Sequence, residues 1–316
     1  MSAGERLPGT PQPMHRWSGA GGVSIAGDAW GDPRDPLVIL QHGGGQTRHA
    51  WKGTGRALGA AGYHAVAFDA RGHGDSDWAE DGAYSQDVMV QDLRCVVHAL
   101  GDRPCILVGA SMGGGTSLVA AGEGAVDARA LVLVDIAPRI EPEGVEHIHA
   151  FMFRNPDGFA SLEEVADAIA SYQPHRPRAA NLLGLAKNVR RRENGRLYWH
   201  WDPRFLLGHR NLTRRQQRLE ECARALTIPT MLVRGAQSDV LSDEGVEQFK
   251  ALAPHSEFLS ISSAGHMVAG DRNDVFGDAV VKFLGRTLPS GARAAGGLQA
   301  TQDRPGREYP DLNDIP

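Results

Sequence analysis

Ile106-Leu107-Val108-Gly109-Ala110-Ser111-Met112-Gly113-Gly114-Gly115-Thr116 is the stretch on which the fold turns. An apolar run stops at Gly109, a serine follows two residues on, and glycines then give way to helix-forming residues. The order reads as strand, sharp turn, helix. Glycines flank the serine because a turn this tight leaves no room for side chains beside it. The hydroxyl of Ser111 then stands at the end of a sheet. The N–H groups after it point out of a helix start, where the backbone lacks acceptors and favours negative charge. An exposed nucleophile beside oxyanion donors is what acyl transfer requires, and Gly109-x-Ser111-x-Gly113 fits the nucleophile-elbow pattern. In a chain with 39 glycines the pattern also arises by chance, so the flanking sequence has to carry the assignment.

Outward from the elbow, apolar strands alternate with amphipathic helices. Before it lie the short apolar run Pro36-Leu37-Val38-Ile39-Leu40, a helix near 49–61, a strand at 63–68 and a helix over 85–100. After it lie a strand at 130–135, strands at 228–233 and 257–261, and a last helix near 273–284. This grammar predicts an α/β fold with a mostly parallel central sheet and helices on both faces. Ligand sites of such sheets lie at the carboxyl ends of the strands. The segments around Gly43, Arg71, Ser111, Asp135, Asp239 and His266 all fall there.

The alternation lapses over 139–224, which is polar, arginine-rich and helical in pattern. It is too long for a loop in a compact domain and reads as an inserted helical lid. The expected organisation is therefore a core of 15–138 and 225–287, a lid of 139–224, a disordered N-terminal segment of 1–14, and a loose tail of 288–316 rich in Gly, Ala, Pro and charge.

Composition narrows the function classes. A net charge of -5 gives no reason to expect a nucleic-acid partner. No apolar stretch is long enough for membrane insertion. No signal peptide is visible over 1–14, and the three cysteines (Cys95, Cys105, Cys222) form no CxxC pair. That pattern implies reduced thiols and a cytoplasmic protein. His147-x-His149 has metal spacing but no third ligand nearby. No Lys-Ser/Thr follows the triple glycine at 43–45, and no dinucleotide fingerprint is present. The expected cofactor is none.

Five motifs in order resemble the α/β-hydrolase superfamily in its lidded form, in the esterase or cofactor-free haloperoxidase-like branch. They are Leu40-Gln41-His42-Gly43-Gly44-Gly45, Asp69-x-Arg71-Gly72-His73-Gly74-Asp75-Ser76, the elbow, Arg234-Gly235-Ala236-Gln237-Ser238-Asp239, and Ala264-Gly265-His266-Met267. The resemblance implies Ser111 as nucleophile and His266 as general base, with His42 and His73 bracing loops. It selects Asp239 as the acid that orients His266, in the order Ser111, Asp239, His266. Asp135 stands as the rival, since some relatives carry the acid after the elbow's neighbouring strand. Its other reading is a brace at the exit to 139–224 that accepts backbone N–H bonds. The implied oxyanion donors are the N–H groups of Met112 and Gly44. Trp199, in the aromatic cluster Leu197-Tyr198-Trp199-His200-Trp201, belongs to the insertion's own core or to a wall of the acyl pocket. Arg190-Arg191-Arg192 with Arg196 reads as a solvated face.

The implied activity is that of a cofactor-independent serine hydrolase acting on carboxylic esters or lactones, with a small acyl compound as partner. The same site also serves carbon–carbon bond hydrolysis of diketone-like substrates, perhydrolysis and acyl transfer. A receptor built on the fold is the non-catalytic alternative. The oligomeric state is not legible.

Overall fold

A computed structural model describes residues 3–174, 177–207, 212–262, 264–266, 268 and 273–289. Eleven strands and nine α-helices lie among the described residues. Eight strands form the main sheet, in the order β11-β10-β7-β6-β4-β5-β3-β2. These are β2 (His15–Ser18), β3 (Ser24–Trp30), β4 (Leu37–Gln41), β5 (His64–Phe68), β6 (Cys105–Ala110), β7 (Ala128–Val134), β10 (Thr230–Gly235) and β11 (Glu257–Ile261). From β11 to β5 every pairing is parallel, whereas β3 and β2 close the edge antiparallel.

Alternate side chains on each strand point to opposite faces, so an uninterrupted apolar strand feeds two cores. Leu37 and Ile39 join one core, and Val38 and Leu40 the other. The first core lies under α2 (Gln86–Ala99), α3 (Ser111–Gly122), α7 (Leu212–Ala225) and α8 (Asp243–Leu252). The second lies under α1 (Lys52–Ala60) and α9 (Asn273–Thr287). Chain order makes β4 the pivot: β5 adds on one side of it and β6 on the other. The loops after β4 and β6 therefore leave from adjacent strand ends, with Gln41 opposite Gly109, and open a crevice at the topological switch point.

The insertion differs from the expected helical lid. It holds α4 (Pro142–Phe153), α5 (Leu162–Tyr172), a 3-10 turn over Leu182–Asn188, strands β8 (Val189–Arg191) and β9 (Leu197–Trp199), and α6 (Arg204–Leu207). The last helix of the expected lid, α7, packs on α3 in the main core instead. Leu219, Cys222 and Ala223 are buried there, and a Cβ on Gly122 would stand 2.5 Å from the Cys222 Cβ. The N-terminal segment also departs from expectation. Within the span expected to be disordered, β1 (Glu5–Arg6) pairs antiparallel with β8, and Leu7 is buried in the insertion's core. The tail expected over 288–316 lies outside the described residues from 290 onward.

The arginine run is not a solvated face at Arg190. This side chain is buried, donating to the Gly74 carbonyl at 2.5 Å and pairing with Asp75 at 2.8 Å. Asp75 also takes Arg6 at 3.0 Å and Arg48 at 2.9 Å. Arg48 reaches Asp28 at 3.1 Å and Asp69 as well. A burial this complete requires charges to be paired. The result ties the N-terminal strand, the insertion and the core loop 69–76 into one network.

Candidate active site

The turn at Ser111 is built by two close approaches. A Cβ on Gly109 would come within 2.4 Å of the Gly113 carbonyl oxygen, and one on Gly113 within 2.5 Å of the Gln41 carbonyl oxygen. Ser111 itself takes φ +46°, a left-handed conformation that is uncommon for a side-chain-bearing residue. Such strain collects at functional positions, where surrounding structure enforces it. It sets Ser111 at the first residue of α3 and on the wall of a cavity of about 2080 Å³.

Asp135 has the same kind of conformation, φ +53°, directly after β7. It is fully buried, and its carboxylate accepts the Gly235 N–H at 2.9 Å and the Ser238 hydroxyl. Its Oδ2 lies 2.7 Å from Nδ1 of His266. A carboxylate fixed by these donors holds the imidazole with Nδ1 protonated and Nε2 free to take a proton. His266 sits beside Gly265 after β11, and Gly235 makes room for that turn: a Cβ there would stand 2.2 Å from the Gly265 carbonyl oxygen. His266 and Ser111 line the same cavity. No hydrogen bond joins them among the described residues, and catalytic hydrogen bonds often tighten only once substrate is bound.

Asp239 is not on His266. Its carboxylate lies 2.9 Å from Nδ1 of His147 on α4, and both side chains are about half exposed. The physical reason is the turn after β10. Ser238 folds inward onto Asp135 and takes the Val240 and Leu241 N–H groups at 3.1 Å each. The next residue is thereby carried outward against α4. Asp135 thus lies on the histidine, and the backbone N–H it accepts belongs to Gly235 on β10 rather than to the exit to 139–224. A signal for it was present, since it directly follows the apolar run 130–134 on the strand beside the one that leads into Ser111.

The loop after β4 is held by side chains from three parts of the chain. Gln46 accepts the Gly43 N–H at 3.0 Å. His42 accepts the Ala70 N–H at 2.9 Å through Nε2 and donates from Nδ1 to the Gly43 carbonyl at 2.8 Å. His73 accepts the Gly45 N–H at 3.1 Å and donates to the Arg71 carbonyl at 3.1 Å. His200, from the insertion, accepts the Gly74 N–H at 2.8 Å and donates to the Gly45 carbonyl at 3.3 Å. Burial pushes all three rings below the ordinary histidine value, His73 down to about 3, so each is a neutral ring with one donor and one acceptor. The expected bracing by His42 and His73 is thus visible as hydrogen bonds, whereas His200 and Gln46 carried no sequence signal.

With Gly43 and Gly45 engaged, the N–H groups of Gly44 and Met112 make no hydrogen bond among the described residues. The glycines also admit the insertion. A Cβ on Gly44 would meet Phe205 at 3.1 Å, and one on Gly45 would meet Met152 at 3.0 Å. Trp199 is buried, stacks on Trp201 at 4.9 Å, and meets Phe159 edge-on at 4.9 Å, so it belongs to the insertion's core. It lines the cavity as well. Among the described residues no group of three metal-ligating side chains gathers, and no helix is long and apolar enough to cross a membrane.

A family model of the alpha/beta hydrolase fold matches residues 36–272. The chain is 30% identical over 259 residues to the esterase Rv0045c of Mycobacterium tuberculosis, covering 80% of this chain and 83% of that protein. A crystal structure of that esterase superposes with a TM-score of 0.67, covering 87% of this chain and 92% of the other. Identity is 29% to a 3-hydroxybutyrate-oligomer hydrolase of Cupriavidus necator, over 79% of this chain and 89% of the relative. An E-2-(acetamidomethylene)succinate hydrolase structure shares the fold at a TM-score of 0.74 and 23% identity, covering 85% of this chain and 98% of that one. The strand order, the strained serine turn and these matches agree: the chain belongs to the α/β-hydrolase fold family.

Proposed function

We propose that this protein is a cofactor-independent serine hydrolase that cleaves carboxylic esters or lactones through an acyl-enzyme on Ser111. The observation that carries the reading is the 2.7 Å contact of His266 Nδ1 with the buried Asp135, opening on the cavity that the strained Ser111 also lines. In this reading Ser111 Oγ adds to the substrate carbonyl carbon as its proton passes to Nε2 of His266. The N–H groups of Gly44 and Met112 receive the oxyanion, usually the largest single contribution in acyl transfer. His266 returns the proton to the leaving alcohol oxygen as the C–O bond breaks. Water activated by the same ring then releases the acid. The Asp135 carboxylate stabilises the imidazolium. The relatives named as esterase and oligomer hydrolase support ester cleavage over the other reactions such a site serves.

A fluorophosphonate probe and a panel of p-nitrophenyl esters test this. The wild-type protein is expected to label and to turn over esters. Ser111→Ala is expected to stay folded, fail to label, and lose turnover by roughly a million-fold. A folded Ser111→Ala protein that hydrolyses esters at near the wild-type rate overturns the assignment.

A further inference from the structure

The cavity wall carries several cations, and nearly all are engaged. Arg204 pairs with Asp202 at 2.7 Å, and Arg218 with Glu123 at 2.6 Å and Asp87 at 2.8 Å. Arg214 and Arg215 have partners as well. Burial takes His49 down to about 4, so it is neutral near pH 7. Lys187 is different. It lines the cavity half-buried, and no carboxylate pairs with it among the described residues. The charged neighbour that acts on it is another cation, Lys52.

Its place relative to the nucleophile follows from the backbone. The next residue, Asn188, accepts the His200 N–H at 3.2 Å, and the His200 ring donates to the Gly45 carbonyl. The Lys187 carbonyl accepts from Arg190 at 3.2 Å, which anchors the segment to the buried charge network. Lys187 therefore stands on the wall formed by the 3-10 turn before β8, beside the glycine loop that faces Ser111. The same cavity also has apolar and aromatic lining, with Met152, Phe151 and Trp199 among its residues.

We propose that Lys187 is a specificity residue that receives a carboxylate on the substrate, so that the preferred ester carries an anionic group at the end away from the scissile bond. This rests on the reading of the cavity as the ester site. An ammonium half-buried in the cavity wall, with a second cation acting on it and no paired counter-charge, is disfavoured there, and a substrate carboxylate relieves that. A single ammonium acts as a point charge and matches one carboxylate oxygen, unlike the two-pronged guanidinium. The apolar wall then takes the carbon chain between the carboxylate and the ester.

The test compares the mono-p-nitrophenyl ester of glutaric acid with p-nitrophenyl valerate, a neutral ester of the same acyl length. The ratio of kcat/KM for the anionic over the neutral ester is expected to exceed one in the wild type. Lys187→Met is expected to lower that ratio about ten- to a hundredfold, the worth of one hydrogen bond to a charged group, mostly through KM. Lys187→Arg is expected to keep most of it. A second arm measures binding of monomethyl glutarate to Ser111→Ala and to Ser111→Ala/Lys187→Met, which needs no turnover. Lys187-dependent binding without hydrolysis of any ester sinks the hydrolase reading and leaves the anion site standing. Hydrolysis with no charge preference, or a preference that survives Lys187→Met, overturns the anion site and leaves the hydrolase reading standing.

Discussion

Two aspartates separate sharply at the scale of single residues. Asp135 is fully buried and touches the Gly235 N–H, the Ser238 hydroxyl and His266 Nδ1. Asp239 is half exposed and touches His147. Their replacement by Asn is therefore expected to do opposite things. Asp135→Asn retains the shape but lets the side chain donate to Nδ1, which puts the ring in the wrong tautomer. On the proposed mechanism turnover is expected to fall about ten-thousand-fold, as for the acid of a known serine triad. Loss of the charge that the Ser238 hydroxyl and Gly235 N–H solvate adds a destabilisation of about 1–3 kcal/mol. Asp239→Asn removes an exposed pair worth roughly 0–1 kcal/mol and is expected to leave turnover within about twofold. Steady-state kinetics and thermal melts of the two variants check this, and an inactive, folded Asp239→Asn with an active Asp135→Asn overturns the assignment to Asp135.

Among the elements, the insertion is both cover and brace. Its aromatic core closes over the glycine loop, while His200 hydrogen-bonds that loop directly. Trp199 belongs to both tasks, because one ring packs in the core and reaches the cavity wall. Trp199→Ala is expected to lower stability by about 3–5 kcal/mol, the cost of deleting a large buried aromatic ring. It is also expected to shift acyl-length preference toward longer chains, because the lost ring widens the pocket. Melting temperature together with rates on p-nitrophenyl acetate through decanoate separates the two effects. A lowered melting temperature with an unchanged substrate profile removes Trp199 from the pocket. The indole Nε1 of Trp199 is buried without a hydrogen-bond partner among the described residues.

For the whole molecule, three neutral histidines at the junction of core, loop and insertion make the fold acid-sensitive. A ring whose folded-state pKa lies below its unfolded value binds its proton more readily in the unfolded chain. Stability is then complete above the unfolded value of 6.5 and declines as pH falls below it, down to the folded value, about 3 for His73. At pH 5 the His73 ring costs roughly 2 kcal/mol relative to pH 7.5. His42 and His200 shift the same way, by burial above all. Asp69 adds to the trend at lower pH. Burial, the largest single influence, raises it, but the Arg48 guanidinium acting together with its other neighbours, the N–H groups of Asp75 and Arg48 among them, holds it below 3.8, so its contribution disappears as pH falls through that lowered value. The melting temperature is expected to drop by several degrees between pH 7.5 and pH 5. A flat or rising profile over that range removes the neutral-histidine account.

What the sequence determined was local. An apolar strand must enter a sheet buried on both faces, and glycines at 109 and 113 are demanded by contacts within the turn or to the neighbouring strand. These constraints act over a few residues or recur with a fixed period, so the parallel sheet, the elbow, His266 and the glycine loop were legible before any coordinates. Tertiary structure decided whatever depends on which way a side chain leaves its turn. Asp135 and Asp239 are both acids near strand ends, and only the inward fold of Ser238 sends one to His266 and the other to α4. The same holds for Arg190, whose charge reads as surface until Asp75 and the Gly74 carbonyl meet it from a loop 115 residues away. It holds for His200 too, and for the N-terminal strand, whose partner β8 lies inside the insertion. Contacts between distant segments leave no periodic trace in the chain, because the geometry that creates them exists only after the sheet has fixed where each loop begins.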